Sequence, residues 1–171
     1  MVETLFESEM FGHVKGAFTG ASDTTKGKFE IAHGGTLLLD EIANISIRVQ
    51  ARLLRVVQEQ EISKIGSPHM KKLDVRIISA TNRNLEEEVE AGNFRNDLFY
   101  RLNVVQIHLP ALRERLEDIP ILANLFLNQL NKNIGKPIAG IAPEAMQMLQ
   151  THPWPGNVRE LMNAVERGVV M

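Results

Sequence analysis

The sequence predicts an α/β fold in which a small parallel sheet with helices between its strands is followed by an all-helical domain. Three observations carry this. Apolar runs end at Leu39, Ala80 and Leu109, and helical stretches separate them, the alternation that βαβ units impose. After Asp118 three stretches of helical apolar spacing follow one another with no strand between them. The chain has 171 residues, 44% of them hydrophobic, enough for one ordinary domain with a small appendage.

The elements follow in order. Gly34-Gly35 precede Thr36-Leu37-Leu38-Leu39, and Asp40-Glu41 follow; a short continuous apolar run of this kind reads as a strand buried in a parallel sheet. From Ser46 to Glu59 the apolar residues Ile47, Val49, Leu53, Leu54, Val56 and Val57 recur at helical spacing with arginines between them, an amphipathic helix. Lys64 to Lys72 contains Gly66 and Pro68 and reads as a loop. Asp74 to Ala80 is a second strand running into Thr81-Asn82, and Asn84 to Glu90 a short helix. Val104 to Leu109 is a third strand, stopped by Pro110, which cannot donate to a ladder. The boundary near Leu112 to Asp118 divides the chain into 1–112 and 113–171. Beyond it, Ile119 to Leu130, Pro143 to Leu149 and Val158 to Val170 are helical. Trp154-Pro155-Gly156 turns the chain into the last helix, with Asn157 as its cap and Glu160 at the reciprocal capping-box position.

Composition excludes several classes. With no cysteine there are no disulfides and no thiolate metal sites, and the five histidines lack ligand-like spacing. No apolar run approaches the ~20 residues that cross a bilayer, and the N-terminus lacks a signal-peptide pattern, so a cytoplasmic location without membrane contact is expected. The net charge of -2 supplies no general basic field. Lys64, Lys71, Lys72 and Arg76 form a local basic cluster, so DNA contact would be local or made by another chain.

Asp40 and Glu41 stand at the carboxyl end of a buried strand, where open α/β sheets bind ligands. One carboxylate of such a pair can hold a hydrated magnesium ion and the other can orient or deprotonate water; the plainer alternative is that both begin the next turn. Thr81 and Asn82, common turn residues, gain meaning beside them, since polar groups at two neighbouring strand ends can share one water or phosphate. Arg95 and Arg101 are six residues apart, about 120° around a helix, and so do not serve one ligand from one helical face. Either Asp97 and Arg101 form an i,i+4 surface pair, or a guanidinium reaches a phosphate. Arg113 and Arg115 read as solvated charge. Arg159 lies in the first turn of the last helix, against the helix dipole, which points to some other use.

Gly16-Ala17-Phe18-Thr19-Gly20-Ala21 places glycines at both ends of a Phe-Thr pair, which disfavours regular structure. Together with ESEMFGHVKGAFTGA, GGTLLLDEI, LLRVVQE, DVRIISATNRNL, FRNDLFYRLNVV, LPALRERLEDIP and WPGNVREL, in that order, it makes the sequence from Glu7 to Val170 closely resemble the central AAA+ domain of bacterial sigma-54-dependent transcription activators, the enhancer-binding proteins.

The resemblance implies a fold and a set of roles. The Gly16–Ala21 loop corresponds to the tip that engages sigma-54 in the RNA polymerase holoenzyme, with Phe18 and Thr19 making apolar and hydroxyl contact. Gly66-Ser67-Pro68 corresponds to a second surface loop that moves with it. Asp40 and Glu41 match the Walker B pair, Asp40 on the magnesium side and Glu41 activating water. Thr81 and Asn82 match sensor I near the γ-phosphate of ATP. Arg95 and Arg101 match arginine fingers that reach the nucleotide of the adjacent subunit, which implies a ring-shaped homo-oligomer. Arg159 matches sensor II, which reports nucleotide state. Ala111 replaces a usual proline and Ala43-Asn44 a usual Gly-Asp, with little consequence expected.

A nucleotide site of this type needs Gly-x-x-x-x-Gly-Lys followed by Ser or Thr, and no such run occurs; Thr24 to Phe29 comes nearest, with Ser22 where the first glycine should be and Phe29 where the hydroxyl should be. In the family this P-loop precedes the ESEMFG segment together with the first two strands, of which the first lies mid-sheet beside RIISA and VVQIHL. The expectation is thus a partial AAA+ P-loop-NTPase-like sheet lacking its first two strands, followed by a helical lid, with doubtful binding of ATP and Mg2+ by the chain alone, unpaired strand edges and low stability. The enhancer-DNA-binding helix-turn-helix of relatives is likewise expected to be absent. The implied function is the sigma-54 interaction module of an ATP-dependent activator that remodels the polymerase closed complex. The alternative is a non-catalytic binding or regulatory module that contacts sigma-54 or joins rings of intact subunits.

Overall fold

The computed structural model describes residues 3–134 and 138–170. The chain forms two compact units, residues 1–106 and 107–171.

The first unit is α/β. Helix α1 (Glu3–Phe11) leads into β1 (Gly12–His13), which pairs antiparallel with β2 (Thr25–Lys26); a single turn, α2 (Lys28–Ile31), carries the chain to β3 (Gly35–Leu39). A 3-10 turn (Ile42–Asn44) precedes α3 (Ile47–Glu59), whose amphipathic pattern buries Val49, Leu53 and Val56. Ser46 caps this helix, accepting from the Val49 N–H at 3.4 Å. The hairpin of β4 (Glu61–Ser63) and β5 (Met70–Lys72) follows, then β6 (Val75–Ser79), α4 (Leu85–Glu90) and α5 (Asn96–Leu102). Asn84 caps α4 by accepting from the Glu86 N–H.

Strands β3 and β6 are parallel, in register from Gly35 opposite Val75 to Leu39 opposite Ser79. Leu37, Leu39, Val75 and Ile77 face the core, where Phe11, Phe29 and Leu98 are buried. Leu38 and Ile78, paired across the strands, are 61% and 46% exposed. The continuous apolar run reads as covered on both faces, but among the described residues only one face is, because α1 and α3 pack on the same side.

Two further expectations are corrected. The loop read over Lys64 to Lys72 is shorter: Met70–Lys72 zips onto Glu61–Ser63, since the exposed lysines suit an edge strand. The third strand, Val104 to Leu109, does not form; after α5 the chain runs as turn, bend and irregular backbone. Val104, Val105, Ile107 and Leu109 are 78 to 82% exposed. An apolar β-prone segment forms a strand only where a neighbour's N–H and C=O groups meet it, and among the described residues none does.

Buried charge binds α1 to α3. The Glu7 carboxylate, on a side chain only 4% exposed, lies 3.2 Å from Arg48 and 3.5 Å from Arg52. Arg52 also donates to the Ser63 carbonyl at 2.9 Å and stacks 4.3 Å above the Phe11 ring. The basic cluster read from sequence is partly neutralised: Lys71 and Lys64 both pair with Glu30, at 2.8 and 3.3 Å.

The second unit is helical, with α6 (Asp118–Ile134), α7 (Pro143–Thr151) and α8 (Asn157–Val170) after a short 3-10 turn at Leu112–Glu114. Its core gathers Leu112, Ile119, Ala123, Leu127, Leu161 and Trp154, whose indole donates to the Leu149 carbonyl at 2.7 Å. The capping expectation at Asn157 changes. Its side-chain oxygen accepts from the Leu112 N–H at 2.8 Å, while Glu160 reaches back to the Gly156 N–H at 2.8 Å, so Gly156 takes the cap position. Asn157, at φ 52, is turned toward the linker segment instead.

Candidate functional site

The parallel register brings two chain ends together. Beyond Leu39 and Ser79 the segments remain stitched, by Ala80 N–H to Leu39 C=O at 2.9 Å and Ile42 N–H to Ala80 C=O at 3.0 Å. Asp40-Glu41 and Thr81-Asn82 therefore leave the same edge of the sheet, and all four are exposed.

Glu41 is left-handed, φ 51 and ψ 45, a conformation that costs a non-glycine residue about 1–2 kcal/mol. Local bonds hold it there: its N–H donates to Asp40 Oδ1 at 2.9 Å, its C=O accepts from the Asn44 N–H, and the Asn44 side-chain amide donates to its Oε2 at 2.8 Å. Backbone strain held by surrounding bonds is characteristic of working sites. Asn44, set aside as inconsequential in the sequence, thus touches the carboxylate. A donor three residues beyond a carboxylate, across a short turn, is the signal that would have found it.

The donor set of Asp40, Glu41, Thr81 and Asn82 is hard oxygen and amide, which fits the metal-and-water end of a nucleotide site. Among the described residues no group of three or more His, Cys, Asp or Glu side chains can hold a metal ion by itself, so waters and phosphate oxygens would complete the shell.

The Gly16–Ala21 loop is closed by its own backbone. Gly16 N–H donates to Ala21 C=O at 2.9 Å and Ala21 N–H to Phe18 C=O at 3.0 Å. Gly16 and Gly20 have φ of 80 and 98, and a Cβ built on either meets nothing within 4 Å; backbone conformation, not space, demands glycine here. Phe18 is half-buried with its ring edge-on to His13 at 5.0 Å, and His13 Nδ1 lies 2.7 Å from the Ser8 hydroxyl. Thr19 is exposed. The second loop abuts the first: Val14 N–H donates to Ile65 C=O and Ile65 N–H to Gly12 C=O, and Gly66 packs against Ala17.

The arginines divide. Arg95 stands just before α5 and grips Asp97 with two bonds, 3.0 and 2.7 Å, which hold the Asp97 carboxyl below its ordinary range and raise Arg95. The i,i+4 pair of Asp97 with Arg101 does not form. Arg101, in the last turn of α5, and Arg159, in the first turn of α8, are exposed and make no ion pair among the described residues.

Residues 1–108 match the sigma-54 interaction domain, and residues 113–171 match the AAA+ ATPase lid domain. The chain belongs to the sigma-54 interaction domain family. It is 55% identical over 169 residues to the transcriptional regulatory protein ZraR of Salmonella typhimurium, covering 99% of this chain and 38% of that protein. It is 57% identical over 169 residues to the Nif-specific regulatory protein of Enterobacter agglomerans, covering 99% and 32%. The crystal structure of NtrX from Brucella abortus in complex with ATP superimposes at a TM-score of 0.87 with 42% identity, over 98% of this chain and 37% of that one. The chain thus spans 32 to 38% of the length of these sigma-54 interaction domain relatives. Among the described residues no helix is long and apolar enough to cross a membrane.

Proposed function

We propose that the chain is the sigma-54-contacting part of an ATP-dependent transcription activator that remodels the RNA polymerase closed complex. The observation that carries this reading is the GAFTGA loop itself: closed by the Gly16–Ala21 bond, braced on the Ile65–Gly66 loop, and presenting Thr19 with Phe18 half-released beside it. A short, glycine-hinged projection with one apolar and one hydroxyl side chain is suited to grip a partner and to swing as a unit.

In this reading the strand-end residues are the source of movement. Asp40 would hold the magnesium side, Glu41 would orient the attacking water, and Thr81 and Asn82 would bind the terminal phosphate; ATP with Mg2+ would supply the hydrolysable bond. Arg101 and Arg95 would act on the nucleotide of a neighbouring subunit in a homo-oligomeric ring, Arg101 with its guanidinium in no ion pair among the described residues and Arg95 after leaving Asp97. Arg159 on the lid reports nucleotide state. Helix α3 starts directly beyond the carboxylate turn and is tied through Arg52 to α1 and β4, which lead into the two loops. That is a continuous path from the carboxylates to Phe18.

A second reading is a non-catalytic module that binds sigma-54 or joins rings of intact subunits. Two measurements decide. Immobilised sigma-54 should retain the chain, and Phe18→Ala should weaken retention at least tenfold; equal retention of the variant would sink the first reading and the sigma-54-binding form of the second. A fluorescent ATP analogue with magnesium should then separate them. Saturable binding altered by Glu41→Ala supports hydrolysis by this chain, and no binding removes hydrolysis by the chain alone while leaving its sigma-54 contact to be judged by retention.

A further inference from the structure

Gln50 has no solvent exposure. A polar side chain so placed is costly unless its groups are bonded, and all of the Gln50 amide is. Nε2 donates to Ile45 C=O and to Asn93 C=O, each at 2.9 Å, and Oε1 accepts from the Arg95 N–H at 2.8 Å. The orientation of the amide is fixed, because two of its partners are carbonyls and the third is an N–H.

These partners come from two places. Ile45 closes the 3-10 turn that follows Asp40-Glu41 and holds Asn44. Asn93 and Arg95 form the turn that enters α5. Gln50 itself sits in the first turn of α3, its N–H donating to Ser46 C=O. One planar amide therefore joins the segment after the carboxylates to the backbone of Arg95. Filling the core would need only an apolar residue of similar volume, as Leu53 does one turn further on. Three bonds to two separate turns make a linkage.

We propose that Gln50 is a positioning residue that ties Arg95 to the carboxylate turn, so that a rearrangement at Asp40-Glu41 displaces the Arg95 backbone and, with it, the guanidinium. This rests on the reading of the carboxylates as the hydrolytic pair and of Arg95 as acting in a neighbouring site. It adds a physical route by which one nucleotide site is felt at the next. The amide is short and its atoms are coplanar, so movement of Ile45 is not absorbed in a flexible side chain.

The test is amide NMR and hydrogen exchange on the 15N-labelled chain. Glu41→Gln perturbs the carboxylate turn, and the unsubstituted background should show a response at the Arg95 and Asn96 amides as well as at Ile42. Gln50→Met keeps the volume and removes every bond. It should speed Arg95 amide exchange about tenfold, on the scale of one lost hydrogen bond, and abolish the Arg95 response to Glu41→Gln while leaving that at Ile42. Gln50→Glu retains the acceptor for Arg95 and has at most one proton to donate, so Arg95 exchange should stay slow while the response weakens. Leu53→Ala, a core truncation that removes none of the three amide bonds, should lower stability and keep the response. Persistence of the Arg95 response in Gln50→Met, or its absence in the unsubstituted chain, would overturn the proposal. The sigma-54 and nucleotide measurements report on the functional reading independently: a chain that transmits yet binds neither partner leaves the linkage standing and removes the reading.

Discussion

The side-chain amide of Asn44 donates a 2.8 Å hydrogen bond to Glu41 Oε2. Both residues are exposed, so the bond contributes little to folding, about 0.5 kcal/mol or less. Its consequence is orientation, because it occupies one oxygen of a carboxylate that sits in strained backbone beside Asp40. Asn44→Ala is expected to leave the denaturation midpoint nearly unchanged and to free Oε2. With Mn2+ as a paramagnetic stand-in for magnesium, amides of Asp40, Glu41 and Thr81 should broaden at millimolar metal, more strongly in Asn44→Ala and not at all in Asp40→Ala. Broadening that ignores Asp40→Ala would place the cation elsewhere.

Gly66 and Ala17 set the contact between the two loops. Gly66 has φ 79, and a Cβ on it would stand 2.8 Å from Ala17 Cβ and 3.1 Å from Val14 Cγ2. Gly66→Ala thus meets both backbone strain, about 1–2 kcal/mol, and a clash that the Ala17 backbone must relieve. Hydrogen exchange at Val14 and Ala17 should accelerate and retention on sigma-54 should fall, with the helical unit of 107–171 unaffected. Unchanged exchange at Ala17 would mean that the loops are independent.

Much of this arrangement is legible in the sequence where local chemistry decides it. Ser46 and Asn84 cap the helices they precede, and of the apolar positions from Ile47 to Val57 the helix buries Val49, Leu53 and Val56. Asp40, Glu41, Thr81 and Asn82 fall at strand ends, so a parallel pairing was enough to bring them together. What local pattern cannot carry is partner choice. Val104 to Leu109 has the composition of a strand, but a strand exists only against a neighbour. Asp97 has Arg101 at helical spacing, yet Arg95 lies outside the helix with both its bonds aimed at the first turn. Asn157 has the chemistry of a cap and spends it on Leu112. Gln50 looks like any polar residue on an amphipathic helix, and only the tertiary fold shows that it faces inward.

Acid stability should carry the mark of Glu30. Bonds from Lys71 first, then Lys64, hold its carboxyl below the ordinary value of 4.5 despite its burial. A depressed folded-state value means that the unfolded chain binds the proton more readily, so the stabilisation is full above 4.5 and disappears as pH falls through the lower folded value. Asp97, lowered by Arg95, adds a term of the same sign. Urea midpoints measured from pH 7 down to pH 3 should fall, and Glu30→Gln should lower the midpoint at pH 7 while flattening the decline. An equal slope in the variant would assign the acid sensitivity to other carboxylates.

The segment from Val104 to Leu109 is expected to govern solubility without governing stability. Four large apolar side chains there are 78 to 82% exposed, with backbone that has no ladder partner among the described residues, which is the combination that templates association. Val105→Lys with Ile107→Lys places charge where nothing is packed, so no burial is lost and the melting temperature should move by no more than about 1–2 °C. Light scattering at raised protein concentration should show less aggregation in the double variant. A drop of 5 °C or more would instead mean that the segment packs in solution, and that a neighbour supplies the strand edge its sequence is built to meet.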